Sequence, residues 1–144
     1  MKILVINGPN LNMLGIREPE IYGRKTYEEL VAMIENYTRE NGIDCEIFQS
    51  NHEGDIIDKI QSAYRKFDGI VINPAGFTHT SVAIADALAS VDIPAIEVHI
   101  SDTNAREDFR RVSFVRTICK NTVQGMGFEG YIRAIEELAV GNSK

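Results

Sequence analysis

Five side chains able to do chemistry stand just past three short apolar runs. Ile3-Leu4-Val5-Ile6 leads into Asn7-Gly8-Pro9-Asn10, Ile70-Val71-Ile72 leads into Asn73 and, six residues on, His79, and Ala95-Ile96-Glu97-Val98 leads into His99-Ile100-Ser101. The strongest signal is the pair Glu97 and His99. In a regular strand, residues two apart face the same side. A carboxylate beside an imidazole fixes its tautomer and favours its protonated form, as a general acid near neutral pH requires. Taken alone, such a pair reads as a strand-end histidine paired for structure. At the C-terminal end of a strand, in polar company, it reads as functional. His79 alone reads as a loop or cap histidine, and its place above the third run tips it toward ligand contact. His52 reads as structural. Arg17 and Tyr22 share the long stretch from Asn7 to Lys25. An arginine near a tyrosine lowers the phenol pKa from roughly 10 toward that of a usable base.

These groups need a frame that gathers strand ends. Apolar runs alternate with helical patterns along the whole chain. Strands are expected at Lys2–Ile6, Ile43–Gln49, Ile70–Asn73, Ala95–Val98 and Val115–Cys119. Helices are expected from a capping box at Thr26 and Glu29 to a C-terminal Gly42, from Ile56 to Phe67, from His79 to Val91, and from Phe128 to Val140, with a short one at Arg106–Val112. Five strands alternating with helices imply an α/β fold with a parallel sheet covered on both faces, for which the flavodoxin-like order 2-1-3-4-5 is the simplest choice. Ligands of such sheets bind in the crevice outside the carboxyl ends of the strands. Asn10, Asn73, His79, His99 and Ser101 are therefore expected to line one crevice, and the Asn7–Lys25 loop is long enough to be functional.

At 144 residues the chain is expected to form a single catalytic domain over 1–144. A net charge of −6 argues against a nucleic-acid partner. It leaves room for an anionic small molecule, because Arg106, Arg110 and Arg111 cluster. Cys45 and Cys119 sit far apart with no Cys/His ligand spacing, so buried reduced thiols in a cytoplasmic protein are expected, and no metal. No signal peptide or membrane span is read. A flavin phosphate loop after the first strand would be rich in Ser, Thr and Gly, and a phospho-acceptor receiver would carry an aspartate after the third strand. Asn7–Asn12 and Asn73 fit neither, and no Walker or GxGxxG fingerprint is present.

Seven stretches together resemble one family. They are Ile6 to Asn12; Gly15-Ile16-Arg17-Glu18-Pro19 with Tyr22-Gly23; Gln49 to Gly54; Asn73-Pro74-Ala75-Gly76; Thr78-His79-Thr80-Ser81; Glu97-Val98-His99-Ile100-Ser101; and Arg106-Glu107-Asp108-Phe109-Arg110. Each is weak alone. In this order, and nearly end to end, they are similar to the type II 3-dehydroquinate dehydratases.

The resemblance implies conversion of 3-dehydroquinate to 3-dehydroshikimate and water. The route is an anti elimination through an enolate without metal or cofactor, in the shikimate pathway of aromatic biosynthesis or in quinate breakdown. It implies Tyr22 as proton acceptor, directly or through a water near Arg17, with Arg17 as its counter-charge. It implies His99 as proton donor held by Glu97, and Asn10 as the holder of a water near the enolate oxygen. Asn73 and the amides of Ile100 and Ser101 would cradle the substrate carboxylate, His79 and Arg110 would contact ring hydroxyls, and Arg106 would belong to a mobile cover. Asp86 would reach a neighbouring subunit's site in a homo-oligomer, a dodecamer built of trimers. Asp102, Asn104 and Ala85 depart from the family pattern, and Asp102 adds a negative charge near the expected carboxylate cradle. A non-catalytic sensor of carbohydrate acids and a flavin-binding module are the rival readings.

Overall fold

The computed structural model describes residues 1–16 and 18–142, apart from the side chain of Tyr22. Strands β1 (Lys2–Asn7), β2 (Asp44–Gln49), β3 (Gly69–Asn73), β4 (Ala95–His99) and β5 (Asn121–Gln124) form one sheet in the order β2-β1-β3-β4-β5. Every pairing is parallel. This is the expected flavodoxin-like order, and it brings all five strand ends to one edge.

The helices are α1 (Pro19–Tyr22), α2 (Tyr27–Glu40), α3 (Glu53–Ser62), α4 (Val82–Val91) and α5 (Glu129–Asn142). Strand periodicity divides the core in two. Ile3, Val5, Val71, Ile96 and Val98 pack with Leu30 and Ile34 of α2 and with Ala134, Ile135 and Leu138 of α5. Leu4, Ile6, Ile70, Ile72 and Ala95 pack with Ile56 and Ile60 of α3 and with Ile84 and Leu88 of α4. Strands buried on both faces read as near-continuous apolar runs, as β1 and β3 do, whereas β4 is buried throughout but carries Glu97 and His99. Among the described residues no helix is long and apolar enough to cross a membrane.

Helix ends follow local chemistry. Thr26 caps α2 by accepting from the Glu29 amide, and Gly42 beyond its end takes φ +65°, which a glycine adopts freely. The third expected helix starts later than its pattern implied. Ala75–His79 is a 3-10 turn, and Ser81 caps α4 by accepting from the Ile84 amide. The helix expected to run to Phe67 ends at Ser62, and the one expected at Arg106–Val112 is a 3-10 turn at Asp108–Arg111.

The fifth strand is a correction. Val115–Thr117 is a 3-10 turn, in which the amides of Ile118 and Cys119 both donate to the Val115 carbonyl. Val115 is the buried residue there, filling the α3/α4 face of the core. The strand instead uses Asn121-Thr122-Val123-Gln124, of which only Val123 is fully buried. An edge strand needs little hydrocarbon, and polar side chains on it are free for other bonds. Cys119 therefore lies outside a strand, while Cys45 sits in β2. Both thiols are free and half-buried rather than buried, and burial pushes each up to about 12, so neither is a nucleophile near neutral pH.

Candidate active site

The ends of β1, β3 and β4 open into a crevice of about 210 Å³. Asn10, Asn73, His79, His99, Ile100, Ser101, Arg106 and Arg110 all line it, together with Pro9, Leu11, Ala75, Gly76 and Thr103. Residues up to a hundred positions apart thus meet, as the strand-end rule expects.

The loops after β1 and β3 are clamped together. Gly8 donates its amide to the Asn73 carbonyl at 2.8 Å. A Cβ on Gly8 would lie 2.4 Å from the Pro74 carbonyl oxygen, so any side chain there would force the two loops apart. Asn10 sits at φ +71°, a left-handed conformation that asparagine tolerates. Its amide donates to Asn51 Oδ1 at 3.0 Å, and Gln49 Nε2 donates to the same oxygen and to the Gly8 carbonyl. Residues at the end of β2 therefore hold the Asn10 turn. Ala75, at φ +54°, is held by donating its amide to Asn73 Oδ1.

Asn73 is oriented from below. Its Nδ2 donates to Tyr131 Oη at 2.9 Å, and Tyr131 donates to Asn7 Oδ1 at 2.7 Å. Asn7 and Asn73 are register partners in the β1–β3 ladder, and the fully buried Tyr131 reaches them from α5. Burial pushes the Tyr131 phenol well above its ordinary value, so the hydroxyl keeps its proton and the direction of both bonds is fixed. One N–H of Asn73 is used by Tyr131 and its oxygen by Ala75, which leaves the second N–H for a ligand acceptor. Tyr131→Phe would strand Asn7 Oδ1 and Asn73 Nδ2. At about 1–3 kcal/mol for each of the two unsatisfied buried groups, the expected loss in a urea titration is roughly 2–6 kcal/mol. A loss below about 0.5 kcal/mol would contradict the network.

Glu97 and His99 lie on the α3/α4 face of β4. Glu97 is 0 % exposed, and its Oε2 accepts from His99 Nε2 at 2.5 Å. The nitrogen left to the crevice is Nδ1. Three partners absent from the sequence reading complete the carboxylate. Ser113 Oγ donates to Oε2 at 2.7 Å, while Thr122 Oγ1 at 2.9 Å and Arg116 Nε at 3.2 Å donate to Oε1. Burial pushes the carboxyl upward, but the bonds from His99 and Ser113 and the Arg116 guanidinium outweigh it and bring it down to about 2. A depressed carboxylate stabilises the fold fully above its ordinary value of 4.5 and loses that contribution as pH falls toward about 2.

His79 is built for the opposite task. Its Nδ1 faces the Val112 carbonyl at 2.6 Å, so Nδ1 carries the hydrogen and donates. Burial lowers its pKa below 6.5, more than the Val112 bond raises it. The neutral ring keeps Nε2 as an acceptor, suited to a hydroxyl. Arg106 and Arg110 bring positive charge to the rim, with Arg110 Nε 2.7 Å from Glu107 and Arg106 4.0 Å from Glu18 of the early loop. The carbonyls of Ile100 and Ser101 accept from the amides of Gly127 and Gly125, which fixes both peptide units beside the crevice. Asp102 is exposed, absent from the lining, and accepts from the Asn104 amide at 2.9 Å. Its charge caps a turn rather than facing the crevice.

Besides Glu97, which is buried behind His99, three expected site residues are not brought to the crevice or lie outside the described residues. Asp86 is exposed on the outer face of α4, away from the crevice of its own chain. Arg17 and the side chain of Tyr22 lie outside the described residues. Thr103 was missed. It is buried against the crevice and donates to Gln124 Oε1 of β5 at 2.7 Å, a bond no sequence pattern signals because the strand itself was misplaced. Among the described residues no group of three His, Cys, Asp or Glu side chains could hold a metal ion.

A flavodoxin-like sheet whose strand ends gather a carboxylate-held histidine, amide donors and arginines defines a small-molecule enzyme of the α/β class. The family described as dehydroquinase class II matches residues 1–139. A relative from Lachnospira eligens, named 3-dehydroquinate dehydratase, is 59 % identical over 138 residues, covering 94 % of both chains. One of the same name from Thermotoga neapolitana is 54 % identical, covering 94 % of this chain and 92 % of the relative. The crystal structure of type II dehydroquinase from Butyrivibrio crossotus superposes with a TM-score of 0.95 at 59 % identity, covering 96 % of this chain and 97 % of its own. That of type II dehydroquinase from Propionibacterium acnes gives 0.93 at 45 % identity and 96 % of each chain. The chain belongs to the class II dehydroquinase family and is a hydro-lyase.

Proposed function

We propose that this crevice dehydrates 3-dehydroquinate to 3-dehydroshikimate by anti elimination through an enolate. The observation that carries the reading is the meeting of His99, seated on a buried ionised carboxylate, with donors from three strand ends in a chain of this family. The substrate carboxylate is held by the spare Asn73 N–H and the amides of Ile100 and Ser101. Ring hydroxyls meet His79 Nε2 and Arg110, and Arg106 covers the site.

Tyr22, kept anionic by Arg17, takes the proton from the carbon next to the ketone. The C–H electrons move onto the ketone oxygen as an enolate, whose charge is met by a water held at Asn10. When the enolate collapses, the C–O bond β to it breaks. The hydroxyl leaves as water with the proton of His99 Nδ1. Tyr22 then returns its proton to solvent and His99 regains one, so the balance is substrate to product plus water. No step draws on a metal or cofactor, and activity is expected to survive EDTA. The reaction serves aromatic biosynthesis or quinate breakdown, in the cytoplasm and on a single domain.

Stereospecific labelling tests the route. Each of the two hydrogens on the methylene next to the ketone is replaced by deuterium in turn. Anti elimination loses deuterium only from the face opposite the leaving hydroxyl, and loss from the same face would reject the route.

The exposed position of Asp86 supports a shared site in which it orients Arg17 of a neighbouring subunit, within trimers assembled into a dodecamer. Asp86→Ala and Tyr22→Phe subunits should each be poorly active alone. Mixed oligomers should regain activity, because some interfaces pair an intact Asp86 with an intact Tyr22. No recovery in verified mixed oligomers would reject the shared site.

A further inference from the structure

We propose that Arg116, seconded by Ser113 and Thr122, is a positioning residue that keeps the buried Glu97 charge compensated while His99 gives up its proton. This rests on the reading of His99 as the proton donor. Before transfer, Glu97 faces an imidazolium. After transfer the ring is neutral, and a carboxylate that is 0 % exposed has lost the opposite charge on which its burial depended. A buried ion without a partner is strongly destabilising, so an uncompensated Glu97 would hold the proton on the ring and make His99 a poor acid.

The geometry supplies the missing charge. Arg116 Nε lies 3.2 Å from Oε1 and carries its charge whichever state the ring is in, on a side chain 34 % exposed and absent from the crevice lining. It cannot touch a substrate there, so its effect passes through Glu97. The two hydroxyls and His99 Nε2 bring the bonds to four, which fills the acceptor sites of a carboxylate. A filled carboxylate neither rotates nor releases the ring, and Nδ1 stays aimed at the crevice. The donors come from places the fold fixes. Thr122 lies directly across the β4–β5 ladder from Glu97. Ser113 and Arg116 flank Phe114, whose amide donates to the Thr78 carbonyl, and Val115, which is buried in the core.

The test compares Arg116→Gln, which removes the charge, with Arg116→Lys, which keeps it, using Arg133→Gln on the outer side of α5 as control. Arg116→Gln should lose roughly tenfold in kcat, a fold-change tied to the chemical step, with KM within about twofold. Arg116→Lys should recover part of the loss, and Ser113→Ala and Thr122→Val should each lose about two- to threefold in kcat. A second readout needs no turnover. The proton in the short His99–Glu97 bond should give a far-downfield NMR resonance that moves in Arg116→Gln and stays in Arg133→Gln. An active wild type with unchanged kcat and an unmoved resonance in Arg116→Gln overturns the inference and leaves the lyase reading standing. An inactive wild type overturns the lyase reading, and the resonance then decides: movement supports the compensation of Glu97 by Arg116, and no movement overturns it.

Discussion

His99→Ala is expected to lower kcat by roughly 10²–10⁴-fold, the usual worth of general-acid catalysis, while KM changes far less. The leaving hydroxyl is a poor leaving group without a proton, and the Nδ1 of His99 is the donor the crevice offers. The carboxylate cradle proposed at Asn73, Ile100 and Ser101 does not involve the imidazole, so binding should survive. The substitution also removes the His99 bond from Glu97, leaving Ser113, Arg116 and Thr122 to hold a buried charge. Some loss of stability should accompany the loss of rate, and circular dichroism with an analogue-binding assay separates the two. A folded His99→Ala enzyme with kcat within a few-fold of wild type would remove His99 from the mechanism.

Tyr22→Phe is expected to leave residual turnover of about 10⁻³ of wild type or less, because the proposed base itself is deleted. The change removes one oxygen and leaves the rest of the side chain. Arg17→Ala should act in the same direction by a different cause: under the proposal the phenol loses its counter-charge, so the reactive phenolate becomes scarcer near neutral pH. The two variants are told apart at high pH. Arg17→Ala should regain part of its activity as the phenol ionises, whereas Tyr22→Phe has nothing to ionise. Full activity of Tyr22→Phe would assign proton abstraction to another group.

The sheet was legible because β1 and β3 are buried on both faces and written in nearly unbroken hydrocarbon, and because β4, also buried, sets Ala95, Ile96 and Val98 around Glu97. The crevice was legible because parallel strands send their polar ends to one edge, so Asn10, Asn73, His79 and His99 could be gathered without knowing a single contact. What failed was β5. Val115 and Ile118 looked like strand residues, but a 3-10 turn uses Val115 to fill the core, and the edge strand beyond it is polar. That error hid Thr122 and Gln124, and with them the bonds to Glu97 and Thr103. Tyr131 was invisible for another reason. Within α5 it looks like ordinary core at helical spacing, and only the tertiary fold places its hydroxyl between Asn7 and Asn73. Arg116 likewise carries no local signal, since its partner is a strand away. Asp102 shows the reverse: its charge, a concern in the sequence, stands exposed outside the crevice lining and accepts from the Asn104 amide.

The most direct test of the central claim is ultraviolet absorbance after mixing the purified chain with 3-dehydroquinate. Loss of water places a carbon–carbon double bond in conjugation with the ketone. An absorbance rise proportional to enzyme, absent with Tyr22→Phe and strongly slowed with His99→Ala, is the predicted result. Binding of 3-dehydroquinate with no rise in absorbance would contradict the assignment and point to a sensor that keeps the crevice without the chemistry.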